Sequence, residues 1–125
     1  MTEREKKYLS DISNSIDLIK DFVSEIRSFS DYCNDSKTKS AVERHLAIIG
    51  EAVTRFIRES ESNQLTNATQ IISVRNKLIH AYDSIDDAII WSVITLHLES
   101  LKQEVLEKLK EPLMDSSFRY PSSGC

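Results

Sequence analysis

Within eight consecutive positions, RNKLIHAY (75–82), the chain carries Arg75, His80 and Tyr82. These residue types suit cleavage of a phosphodiester without a metal. An imidazole titrating at about 6.5 can take a proton from a ribose 2'-hydroxyl or give one to a leaving 5'-oxygen. A guanidinium keeps its charge and can hold two phosphate oxygens while negative charge builds in the transition state. A symmetric dimer would supply a second imidazole, so that one acts as base and the other as acid. Spacing complicates this picture. At about 3.6 residues per turn, Arg75 and His80 point about 140° apart in an unbroken helix, whereas Arg75 and Tyr82 share a face. A helix that loosens near His80 would let the imidazole swing toward the arginine, and the three polar tips would border one cleft. The same residues also suit an ordinary helix end, where Arg and His meet the negative end of the dipole.

Other constellations are weaker. Helical bundles often hold metals through Glu-x-x-His pairs, but Val42, Lys77 and Ile94 stand three residues before His45, His80 and His97. Asp83, Asp86 and Asp87 beside His80 could bind a divalent ion, but acidic residues at a helix start are expected simply as caps and dipole partners. No metal and no cofactor is expected. Arg44, Glu51, Arg55 and Arg58 form one mixed helical stripe. It reads as a solvated face with a Glu51 to Arg55 pair, or as a phosphate-facing surface. His45 and His97 sit beside apolar seams and read as packing or boundary residues. No nucleophile elbow or glycine-rich phosphate loop is present.

The elements that must position these residues follow from apolar periodicity. Thr2 and Glu5 have capping-box spacing, and Ile12, Ile16, Ile19, Val23 and Ile26 then recur at steps of four and three, predicting a long first helix. SDYCNDSKTKS (30–40) interrupts the pattern and offers Asp and Ser caps for the next element. Val42, Leu46, Ile49, Val53 and Phe56 predict a second helix. Gly50 inside it costs about 1 kcal/mol relative to Ala, which implies a close approach such as a tight helix crossing. A third helix is predicted from about Thr66 to His80, with Ile71, Ile72, Val74, Leu78 and Ile79 as its apolar set. A fourth runs from about Ile85 to Lys110, opened by a capping-box-like Ser84 and Asp87. Its first half, Ile89 to Leu98, is apolar on more than one side, so it should be buried on two sides, in a bundle or across a dimer contact.

The expectation is an all-α, up-and-down four-helix bundle, with room for one extra short helix, that dimerises. Residues 1–112 would form the bundle and 113–125, serine-rich and without a period, a mobile tail. At 125 residues, one domain is expected, and two glycines and two prolines favour helices over loops. The net charge of -4 counts against a broad nucleic-acid-coating surface and leaves phosphate binding to a local patch. Cys33 and Cys125 have no metal-site or disulfide spacing and read as reduced thiols. MTEREKKYLS is charged where a signal peptide needs an apolar core, and AIIWSVITLHL (88–98) is shorter than the roughly 20 residues of a membrane span. A soluble cytoplasmic protein is expected.

R-N-x-x-x-H-x-Y, as Arg75, Asn76, His80 and Tyr82, resembles the motif of the HEPN superfamily and, through its tyrosine, the HepT-like toxins. IIGEAV (48–53) and the aromatic-containing helix after the motif are also similar, so the resemblance spans about residues 5–110. It implies a dimeric, all-helical, metal-independent endoribonuclease toxin with its RNA cleft across the dimer, tRNA being the family-level guess for the substrate. By position it implies catalytic roles for Arg75 and His80, support from Asn76, and Tyr82 as a site of AMP transfer by an MntA-like nucleotidyltransferase antitoxin. Two other classes compete: a catalytically idle helical partner of a nucleotidyltransferase, and a plain dimerisation module.

Overall fold

The computed structural model describes residues 1–60, 64–80 and 85–115, with side chains to Lys110. Among these residues the chain is all-α, with five helices and no strand. Helix α1 spans Glu3–Phe22, α2 Phe29–Cys33, α3 Ser36–Glu59 and α4 Thr69–His80. The fifth begins as α5 (Asp87–Ser92), passes through a π-helical turn (Val93–His97) and continues as α6 (Leu98–Asp115). No described helix is long and apolar enough to cross a membrane.

Capping sets the starts of these helices. Thr2 accepts from the Glu5 amide at 3.1 Å, the backbone half of the expected capping box. Ser28 and Asp35 cap α2 and α3 by accepting from Asp31 N and Thr38 N; Asp35 comes from the polar interruption as expected, whereas Ser28 precedes it. The interruption also holds most of the extra short helix, because Tyr32 is fully buried with its ring 5.4 Å from that of Trp91. The Ser84 cap lies outside the described residues. Asp86 accepts from Ala88 N at 2.8 Å and caps α5.

The seams of α1 and α3 bury as their spacing requires. Leu9, Ile12, Ile16 and Ile19 of α1 face Val42, Leu46, Ile49, Val53 and Phe56 of α3, all fully buried. Helix α1 ends at Phe22, earlier than its apolar steps, and Val23 and Ile26 pack against the core from beyond it. Cross-helix pairs give the directions: Arg4 and Tyr8 near the start of α1 reach Glu59 at the end of α3. At the other end of α1, Asp17 and Lys20 reach Lys102 and Glu99 of α6, so both neighbours run antiparallel to it.

The fifth helix explains why its first half looks apolar all round. Its buried positions are Ile90, Val93, Leu98, Leu101 and Val105, and the step from 93 to 98 is too long for an α turn. A π turn closes that gap, with the Leu98 amide bonding to the Val93 carbonyl. Leu98 enters the core and His97 is left half-buried. The same shift leaves Leu96 68% exposed. Helix α6 extends past the predicted end at Lys110, through Pro112, to Asp115. Pro112 can donate no ladder bond, and only three residues follow it in the helix. The rest of the predicted tail, with Cys125, lies outside the described residues; among those described, Cys33 is a free thiol.

Candidate active site

Helix α4 starts at Thr69, after a turn in which Glu104 accepts from the amides of Thr66 and Asn67 at 2.8 and 3.1 Å. Those bonds consume the first predicted turn of the helix. Ile71 and Val74 bury, while Ile72 and Leu78 pack at the core margin. Ile79, expected in the apolar set, is 47% exposed, because the helix meets the core along one narrow stripe.

Arg75 leaves α4 at its crossing with α3, where the facing residue is Gly50. A Cβ built on Gly50 would lie 2.3 Å from Arg75 Cβ and 2.5 Å from its Cγ. The glycine therefore makes room for this arginine in particular, which gives the expected close approach a named occupant. Beyond the crossing, Arg75 Nη2 donates to Glu51 Oε1 at 2.6 Å and Nη1 donates to Asn76 Oδ1 at 3.0 Å. Arg75 Nε is buried and has no hydrogen-bond partner among the described residues.

Glu51 is shared. Its Oε2 accepts from Arg55 Nε at 2.8 Å, so one carboxylate lies between two guanidinium groups. Hydrogen bonds from Arg55 and then Arg75 hold the Glu51 carboxyl below the usual glutamate value of 4.5. The mixed stripe on α3 is thus not purely solvated: the Glu51 to Arg55 pair exists, and it carries a third member from another helix. Residue spacing showed the first pair, but the contact to Arg75, 24 positions away, depends on how α3 and α4 are rotated.

His80 is the last residue of α4 and is exposed. The helix does not loosen before it, so in one chain Arg75 and His80 keep the divergence of about 140° set by helical geometry. Among the described residues no hydrogen bond joins His80 to Arg75 or Asn76. The structure therefore brings Arg75, Asn76 and Glu51 together and leaves His80 at a separate edge. Tyr82 and Asp83 lie outside the described residues. Asp87 pairs with Lys39 at 2.8 Å and Asp86 is a cap, which accounts for two of the three aspartates considered for a cation.

His45 is a packing residue as expected. Its ring centroid lies 5.4 Å from that of Phe22 and its Nδ1 3.3 Å from Ser15 Oγ. Burial, and then the charge of Arg44, push its pKa below 6.5. A concavity of about 550 Å³ lies elsewhere, lined in part by Thr66, Asn67 and the carboxylates of Glu99, Glu104 and Glu107. Those carboxylates would repel a phosphate, so the arginine-bearing crossing is the better candidate for an anionic substrate.

The sequence model of the ribonuclease HepT-like family matches residues 12–108, which include both the crossing and the whole of α4. The chain belongs to that family. This HepT-like chain is 37% identical over 112 residues to a Thermococcus cleftensis protein named "Probable ribonuclease HepT", covering 89% of this chain and all of that one. Proteins bearing the names of candidate RNases are similar in Methanocaldococcus jannaschii, at 32% identity over 84% of this chain and 97% of the relative. Another, in Caldanaerobacter subterraneus, is 33% identical over 85% of this chain and 95% of its own length. No solved structure matches the HepT-like chain.

Proposed function

We propose that this HepT-like chain is an endoribonuclease toxin that cleaves RNA without a metal and acts as a homodimer. The observation that carries the reading is Arg75, held at the α3/α4 crossing by Glu51 and Asn76 in a chain whose family and relatives bear the name of ribonucleases. Of the five guanidinium N–H groups, one points to Glu51, one to Asn76, and the Nε proton is buried. One N–H on each Nη is left for two oxygens of the scissile phosphate.

In the proposed reaction the 2'-oxygen bonds to phosphorus and the bond to the 5'-oxygen breaks, leaving a 2',3'-cyclic phosphate and a 5'-hydroxyl. The proton lost by the 2'-hydroxyl goes to one imidazole and the leaving oxygen takes one from a second. Arg75 stabilises the charge on the phosphate, and Asn76 supports Arg75. Because Arg75 and His80 of one chain diverge, the cleft draws on both copies of the motif. Exposed Ile79, Ile89 and Leu96 support an apolar contact between copies. AMP placed on Tyr82 by an MntA-like nucleotidyltransferase antitoxin would add bulk and negative charge to the motif and shut off RNA binding. tRNA is the substrate class first in line for testing.

Purified wild type and His80→Ala are to be incubated with bulk RNA in EDTA. Cleavage is expected from the wild type and a loss of at least about 100-fold in the variant, the ordinary worth of a general acid or base. Equal cleavage by both proteins, or cleavage that needs added metal, overturns the reading. Intact RNA at any dose, with a stable complex to a nucleotidyltransferase, would instead favour the catalytically idle partner.

A further inference from the structure

We infer that Glu51 is a positioning residue for Arg75, acting from a different helix, and that Gly50 and Arg55 complete its setting. The inference rests on the catalytic reading of Arg75 given above. Four observations converge on it. Glu51 makes the shortest described contact to the guanidinium, at 2.6 Å, and its geometry is that of a charge-assisted hydrogen bond. The adjacent residue, Gly50, is the one position on α3 whose missing side chain lets Arg75 pass. Arg75 Nε is enclosed without a partner among the described residues, so the side chain is held at its far end by Nη1 and Nη2 alone. Asn76 is the next residue along the same helix and moves with Arg75, so Glu51 is the partner that fixes the arginine relative to the rest of the fold.

A carboxylate near a phosphate site carries a cost, because it repels the substrate. Here Arg55 offsets it. With its Nε on the second carboxylate oxygen at 2.8 Å, Arg55 brings the group of three to a net charge of one positive unit. Glu51 can then orient Arg75 without cancelling its attraction for phosphate. A mere surface ion pair would contribute little and would tolerate loss of either partner. A positioning role makes a different demand, since a guanidinium displaced by about 1 Å from the developing charge loses about 100-fold in rate.

Such a role predicts a separation of kinetic constants. Ground-state attraction for RNA remains when Arg75 is present but free to rotate, whereas transition-state alignment does not. Glu51→Ala is expected to lower kcat about 100-fold with KM within about threefold of wild type. Glu51→Gln keeps an acceptor oxygen of the same reach and should recover kcat to within about tenfold. Glu51 is partly exposed, so neither substitution removes core packing. An Ala variant with wild-type kcat, a loss confined to KM, or a Gln variant no better than Ala would each overturn the inference.

A second readout is independent of cleavage. Arginine-selective NMR should show hindered rotation of the Arg75 Nη groups in the wild type and in Glu51→Gln, and averaging in Glu51→Ala. Averaged Arg75 signals in the wild type would overturn the anchoring itself. A wild type that leaves all RNA intact while keeping hindered Arg75 signals would instead remove the nuclease reading and, with it, the catalytic purpose assigned to Glu51.

Discussion

Replacing Gly50 by alanine adds one carbon at the place where α3 and α4 cross. That carbon would stand 2.3 Å from Arg75 Cβ and 2.5 Å from Arg75 Cγ. Ordinary carbon contacts lie at about 3.5–4.0 Å, so a gap of more than about 1 Å must open. The clashing atoms are the root of the arginine side chain, which cannot turn away as its tip could. Either α4 backs off or the χ1 angle of Arg75 changes, and both move the guanidinium. Overpacking of this kind costs about 1–3 kcal/mol, while alanine in a helix gains about 1 kcal/mol over glycine. The net loss of stability is then about 0–2 kcal/mol, a Tm lowered by up to about 10 °C for a domain of this size. The effect on cleavage should be larger, about 100-fold, because the displaced group is the one proposed to align with the phosphate.

Denaturant unfolding and single-turnover RNA cleavage, measured on Gly50→Ala, Arg75→Gly and the double variant, separate these terms. Arg75→Gly removes both atoms that the new carbon meets. In that background Gly50→Ala should raise stability by about 1 kcal/mol through helix propensity alone. The coupling between the two sites should therefore be about 1–3 kcal/mol. If Gly50→Ala in the otherwise native chain is more stable than wild type and cleaves at the wild-type rate, the crossing has room to spare. The account of Gly50 as the space for Arg75 would then be wrong.

Leu96→Glu should break the proposed dimer: burying a leucine contributes about 2 kcal/mol, a two-fold interface counts it twice, and the dissociation constant should rise at least about 1,000-fold. Light scattering across micromolar concentrations tests this, and a monomeric wild type, or a variant as dimeric as wild type, refutes it. Glu104 supplies a pH dependence. Burial opposes its ionisation, but hydrogen bonds from the backbone and side chains of Thr66 and Asn67 outweigh that and hold its pKa below 4.5. Its contribution is complete above pH 4.5 and is lost as pH falls through the lower folded-state value. Glu104→Gln should cost about 1 kcal/mol at pH 7 and flatten the stability curve below pH 5, as read by denaturant midpoints.

The parts of the fold that sequence made legible are those where burial follows one helical period. In α3 all five apolar positions of the predicted seam are buried, since an unbroken α-helix keeps its seam on one side with no more than a 3.6-residue repeat. The fifth helix breaks that logic at one place. Its core positions jump from Val93 to Leu98, and the period is repaired by a π turn that no α-helical count anticipates. Ser92 and Thr95, whose hydroxyls bond to the carbonyls of Ile89 and Trp91 at 2.8 and 2.9 Å, mark the irregular stretch locally. Helix α2 was hidden for another reason. Its five residues carry one buried anchor, Tyr32, whose partner Trp91 is far along the chain.

For the candidate site the division runs between residue type and relative rotation. Arg75 and His80 could be singled out by residue type, Asn76 by the motif resemblance, and Gly50 could be recognised as a close approach, because these are properties of single helices. Which residue Gly50 admits, and which carboxylate meets Arg75, depend on the angle and register between α3 and α4. That register is set by burial of Ile49, Val53, Ile71 and Val74, residues that perform no chemistry. The orientation of Arg75 is consequently tied to the packing of the crossing rather than to its own helix. Changes at this crossing that barely alter stability should therefore register in cleavage first, and changes at exposed positions away from it in neither.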